Sequence, residues 1–164
     1  MAITYSAKTA LTITLASLAS DANQLAGRET NQRDNTGDKY HTALLEGFIT
    51  VGTSPTTAKN ILVYVWGAGE SLATTAKDTL DGTDSAETIT SAGIRDAILK
   101  LAVSIAVDTG TSDRRYDFGD IDVAATLGLL VLPPFWGVFV THNTVAALNA
   151  TGGNHAMSFV GVTI

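Results

Sequence analysis

The chain has no cysteine among its 164 residues. That excludes a disulfide scaffold, thiolate zinc sites, iron–sulfur clusters and cysteine nucleophiles. It also lacks any run of the roughly 18–20 apolar residues that a membrane-spanning helix needs. Positive charge is scarce: Lys and Arg number 10 against 16 Asp and Glu, for a formal charge of -6. Such a surface repels phosphate backbones and anionic lipid, so neither nucleic acid nor membrane is expected as a partner. Aromatic residues make up only 7 % and proline occurs 3 times.

What the chain does have is threonine, alanine and glycine, a composition that favours strands and turns over helices. Its length suits one domain, and surface scaling leaves about 69 % of the unfolded surface buried, enough for a core without staples. Residues 1–8 read as an N-terminal arm and 9–164 as a single domain. Leu11, Ile13 and Leu15 alternate with Thr12 and Thr14. That pattern predicts a strand over 8–18 rather than the signal peptide that Lys8 and the following apolar residues mimic.

Residues 39–51 show the clearest alternation, with Ala43, Leu45, Ile49 and Val51 on one face and a bend expected at Gly47. Residues 59–66 are apolar on both faces, as a central strand should be. Further strands are expected at 95–108, 135–140 and 157–164, and 120–132 stays ambiguous between helix and strand. Polar loops are expected at 19–38, 67–93 and 109–119. Strands without convincing helices between them predict an all-β, antiparallel β-sandwich of six to nine strands, with a jelly roll allowed.

Several motifs suggest chemistry. Asp108-Thr109-Gly110 follows an apolar strand, as the active-site loop of aspartic proteases does; there, paired aspartates share a proton and activate water. The charged residues Asp113, Arg114, Arg115 and Asp117 follow where that family needs an apolar strand, so a turn is the better reading. Gly67-Ala68-Gly69 lacks the third glycine of a dinucleotide loop, and Asp117-Phe118-Gly119 lacks the rest of a kinase. His41, His142 and His155 have no metal-ligand spacing. Two acidic stretches, Asp34 and Asp38 with Asn35, and Asp81 and Asp84 with Glu87, carry the oxygen ligands calcium uses, but neither matches a defined calcium loop and solvated turns are expected. No catalytic residue, cofactor or metal is assigned. Tyr64, Trp66, Phe135 and Trp136 are the candidate interface anchors; the two tryptophans and Tyr64 could instead stack on a sugar, with loops 67–93 and 109–119 around them.

Four stretches in order resemble one family: Asp34-Asn35-Thr36 before the strand from Tyr40; Ile61-Leu62-Val63-Tyr64-Val65-Trp66-Gly67; Asp122-Val123-Ala124-Ala125 running to Pro133-Pro134-Phe135-Trp136-Gly137-Val138; and Gly152-Gly153-Asn154-His155 before the last strand. Together they span most of residues 30–164. The chain resembles the small jelly-roll-like head decoration (cement) proteins of tailed bacteriophages. The resemblance implies a homotrimer on the outer surface of the capsid, with the major capsid protein as partner and no enzymatic activity. A carbohydrate-binding tail or receptor-recognition module on the same sandwich is the alternative.

Overall fold

The computed structural model describes residues 2–164. Its strands are β1 (Thr4–Tyr5), β2 (Thr9–Ala10), β3 (Ala26–Glu29), β4 (Arg33–Asp34), β5 (Thr42–Thr50), β6 (Lys59–Ala68), β7 (Ala86–Thr88), β8 (Lys100–Val107), β9 (Arg115–Asp122), β10 (Phe135–His142) and β11 (His155–Thr163). Two short helices, α1 (Ala92–Ile98) and α2 (Val123–Thr126), interrupt them. No helix is long and apolar enough to cross a membrane. The accessible surface is 7451 Å², close to the roughly 7,700 Å² that a folded chain of this mass should expose.

The fold is an antiparallel β-sandwich. One sheet runs β1-β11-β5-β9, with β2 also on β11; the other runs β7-β3-β10-β6-β8, with β4 also on β10. The pairing is nested. The N-terminal strands pair with the last strand, β3 and β4 with β10, β5 with β9, and β6 with β8. A chain doubled on itself and then wrapped into two sheets gives this order, which is the jelly-roll connectivity.

Strand β5 shows why the alternation was informative. Ala43, Leu45 and Ile49 are fully buried on the inner face. At Gly47 the register against β9 shifts, the bend expected there. A Cβ on Gly47 would lie 2.4 Å from the Ala156 carbonyl oxygen, so only glycine lets β11 come this close. The inner faces of both sheets form one core, around Leu45, Ile49, Val63, Val65, Trp136, Val138, Met157 and Phe159.

A second core lies on the outer face of the β6–β10 pair. Leu62, Tyr64, Trp66 and Phe139 are covered there by Leu72, Leu80, Ile89 and Leu99. This corrects the reading of 67–93 as an uncommitted loop. Its apolar residues have no period of their own, but they cap a strand that was apolar on both faces and needed a cover.

Other expectations change too. Residues 8–18 are mostly irregular, although Leu11 and Leu15 are buried as a strand's inner face would be. Segment 19–38 contains β3 and β4, and the supposed loop 109–119 runs into β9. The stretch from residue 95 begins as α1, capped by Ser91 Oγ accepting from the Ile94 N–H, before β8 starts. Within β8, a register shift opposite Val63 and Tyr64 turns Leu101 outward, where it is half exposed. Within the segment read as an N-terminal arm, Thr4 and Tyr5 form β1 and pair with Thr163 and Val162 of β11.

Candidate functional site

The aromatic residues singled out in the sequence serve the two cores. Trp136 is inner-face core, edge-on to Phe159. Trp66 and Tyr64 lie beneath the 67–93 cover, at 0 % and 6 % exposure. Arg95 of α1 sits over the Tyr64 ring at 5.7 Å. Phe135 is half-buried and packs against the same outer cluster. Tyr64, Trp66 and Trp136 are covered within the chain, and Phe135 keeps part of its ring in solvent. A chain with few large side chains spends them on filling a two-sided sheet.

The motif residues lie in local hydrogen-bonded turns and in strands. Asp108 is exposed and its Oδ1 accepts from the Tyr116 hydroxyl at 2.8 Å, while Thr109 and Thr111 share a hydroxyl hydrogen bond at 2.8 Å. Gly67 and Ala68 are the end of β6, and Asp117, Phe118 and Gly119 are the middle of β9. His142 and His155 are buried singly, each bonded to a backbone carbonyl: Leu18 at 3.0 Å and Asn149 at 2.9 Å.

Exposed apolar surface gathers elsewhere, and the local sequence explains how. After α2, Gly128 takes φ +73. Its N–H donates to the Ala125 carbonyl at 3.0 Å and the Leu129 N–H to the Ala124 carbonyl at 2.9 Å. This is a Schellman ending, which satisfies the last helical carbonyls and turns the chain sharply. Leu129, Leu130 and Val131 follow, at 45 %, 91 % and 54 % exposure. The chain is then pinned back: the Leu132 N–H donates to the His41 carbonyl at 2.7 Å, and Leu132 is buried.

Asn35 fixes the base of this projection. Its Oδ1 accepts from the Tyr40 N–H at 2.8 Å, its Nδ2 donates to the Tyr40 carbonyl at 3.1 Å, and its own N–H donates to the Pro134 carbonyl at 2.7 Å. The turn at Asp34-Asn35-Thr36 and the Pro133-Pro134 segment are thereby brought together. An open groove of about 450 Å³ lies between them, with Tyr40, Val131 and Ile164 on its walls. Ile164 is 54 % exposed, and Tyr5 of the neighbouring β1 and Ile3 just before it are 65 % and 60 % exposed.

A second feature joins segments far apart in sequence. Glu29, Asp81 and Glu87 each place a carboxylate oxygen within 4.8 Å of the others. Glu29, at the end of β3, is fully buried. Its Oε1 accepts from the N–H groups of Asp81 at 2.9 Å and Gly82 at 3.1 Å, while Oε2 has no partner. Burial pushes the Glu29 carboxyl up to about 7; the Asp81 N–H pulls against that, and the Asp81 carboxylate adds to it. Thr83 holds the Asp81 carboxyl below its usual range by donating from its hydroxyl and its N–H. The sequence had marked Asp81, Asp84 and Glu87 together. Asp84 instead faces Arg28 and Thr14, at 2.6 Å from each. Glu29 was missed because it lies in a stretch read as a loop, 52 residues from Asp81.

Comparisons with family models, with curated proteins and with solved structures found no match.

Proposed function

We propose that this chain is a structural protein of a tailed-bacteriophage virion, a trimeric decoration protein that binds the major capsid protein on the outer capsid surface and reinforces the shell. The observation that carries the reading is the Leu129–Val131 projection. Three consecutive apolar residues stand in solvent on a turn that hydrogen bonds hold in place. Runs of this kind reduce solubility unless another surface covers them. The resemblance over residues 30–164 supports the same conclusion, as does the acidic, cysteine-free composition of a body built from strands.

In this reading the projection and the groove beside it meet another subunit, in place of the buried tryptophans. Three copies around a closed axis present the same footprint three times. Three weak contacts on one stiff body gain roughly 10²–10⁴ over a single contact through effective concentration. A trimer that binds the mature shell and not its precursor stabilises the mature state by mass action.

The test is sedimentation equilibrium of the purified chain, followed by electron microscopy of particles incubated with it. The expected result is a threefold mass and ordered density on the outer shell. A monomer at micromolar concentration that leaves shells bare would overturn the proposal.

A further inference from the structure

We propose that Glu29, Asp81 and Glu87 bind one divalent cation, calcium in preference to magnesium, and that this ion clips the 67–93 cover to the edge of the second sheet. The inference is independent of the capsid reading.

The ligand set is oriented from behind. One oxygen of each carboxylate is held: Glu29 Oε1 by two backbone N–H groups, Asp81 Oδ1 by Thr83, and Glu87 Oε1 by the Ser85 hydroxyl at 2.6 Å. Among the described residues, Glu29 Oε2 is buried with no N–H or hydroxyl donor, and the Glu29 and Asp81 carboxyls are close enough to share a proton. Anchoring the ligands in this way sets their direction before an ion arrives. The backbone arranges the meeting. Gly27 of β3 pairs with Glu87 of β7, so Glu29 lies diagonal to Glu87 on the same face of the ladder. The turn at Asp81 and Gly82, with Gly82 at φ +80, brings the third carboxylate over that pair.

The charge balance points to a cation. A fully buried carboxylate beside two others is costly unless something positive or a proton sits among them. Among the described residues, no Lys, Arg or His forms an ion pair with any of the three. A proton shared between Glu29 and Asp81 would leave the Glu87 carboxylate unserved, whereas a divalent ion takes an oxygen from each. The three oxygens lie within 4.8 Å of one another, no farther apart than two calcium–oxygen bonds of roughly 2.4 Å can span, and three converging carboxylates suit calcium better than magnesium, which usually keeps several waters beside one or two carboxylates. Asp81 is exposed, so water can complete the about six to eight oxygens that calcium prefers.

The experiment uses the full chain, stripped with a chelator and exchanged into chelator-treated buffer. Thermal unfolding is followed as calcium chloride or magnesium chloride is added at fixed ionic strength, with calorimetric titration for stoichiometry. The expected result is one calcium per chain and a Tm rise of roughly 5 °C or more at about 100 times Kd, with a smaller rise for magnesium. The double variant Asp81→Asn, Glu87→Gln alters the more accessible ligands and leaves buried Glu29 in place. It is expected to abolish the calcium response while unfolding in chelator at the same temperature as the parent or higher. Two results would overturn the proposal: no calcium effect up to about 10 mM, which is tenfold above the weakest calcium modules at roughly 10⁻³ M, or an equal effect in the double variant. A double variant more stable than the parent in chelator, with a parent indifferent to calcium, would also overturn it and assign the cluster to a shared proton.

Discussion

Trp136 stands edge-on to Phe159, with ring centroids 5.1 Å apart and planes at 83°. The two rings come from different sheets, β10 and β11, so the contact crosses the middle of the sandwich. Tyr40 adds a second edge contact to Phe159 at 6.3 Å, and the Arg33 guanidinium lies over the Phe159 ring at 5.1 Å. Phe159→Ala is therefore expected to destabilise the fold by about 3–5 kcal/mol, a large share of the roughly 5–15 kcal/mol a domain possesses. Phe159→Leu keeps most of the volume and should lose less than half as much. Urea unfolding midpoints check both, and equal losses would show that volume is not what the site needs.

Gly137 controls how closely β10 packs on Trp66. A Cβ there would lie 2.5 Å from Trp66 Cζ2 and 3.0 Å from Thr30 Oγ1. Trp66 is fully buried, so its ring cannot swing into solvent without uncovering the outer core. Gly137→Ala is expected to cost about 1–3 kcal/mol through overpacking. Gly152→Ala is the control: nothing lies within 4 Å of its would-be Cβ, so its effect should stay within about 0.5 kcal/mol. Both are read by denaturant titration.

The contrast between these positions reflects what a sequence can display. Strands β5, β6, β10 and β11 were legible because their burial follows a period of two or is continuous, and a local pattern carries both signals. The cover was not, because Leu72, Leu80 and Ile89 each find partners through long-range contacts with no spacing of their own. The two-sided apolar character of 59–66 did imply that something must cover its outer face. The acidic cluster was half visible, as Asp81 and Glu87, and half hidden, as Glu29. Trp66 and Trp136 lie in the two cores of the chain, and residue type alone does not separate a core anchor from a surface one. Leu129–Val131 fell in the segment whose helix or strand character was ambiguous, and the Schellman turn that exposes it depends on Gly128.

His155 makes stability depend on acidity. Its Nε2–H donates to the Asn149 carbonyl at 2.9 Å and its Nδ1 faces the Thr50 N–H at 3.4 Å. A second proton on the ring would point at that donor. Burial lowers the imidazole below its usual range, and the Asn149 carbonyl opposes this only in part. The unfolded state, titrating near pH 6.5, then binds more protons than the native state as pH falls. The stabilising contribution is full above about pH 6.5 and is lost as pH drops through the native value. His142 acts with the same sign, again mainly through burial. Glu29 acts with the opposite sign, because its carboxyl is raised to about 7 and favours the protonated native state. The comparison is therefore made in a Glu29→Gln background. There, acidification from about pH 7.5 to about pH 5 should lower the urea midpoint, and His155→Gln should lessen the drop. An unchanged drop would remove His155 from the acid response.

Leu130 separates folding from association. At 91 % exposure it contributes almost nothing to either core. Leu130→Asp should thus leave the unfolding midpoint within about 0.5 kcal/mol of the parent. Leu132, two residues on, is 4 % exposed, packs into the inner core and is tied to His41 through its N–H. Leu132→Asp buries an unpaired carboxylate and is expected to unfold the chain. If the projection is a contact surface, Leu130→Asp introduces a charge at the centre of an apolar interface and should raise the dissociation constant by at least about 30-fold, or roughly 2 kcal/mol. Sedimentation velocity over a concentration series measures this directly. A folded Leu130→Asp variant that associates as the parent does would move the contact surface away from the α2–β10 turn. In that event the remaining exposed apolar residues, Ile3, Tyr5 and Ile164 at the paired ends of β1 and β11, become the next surface to charge.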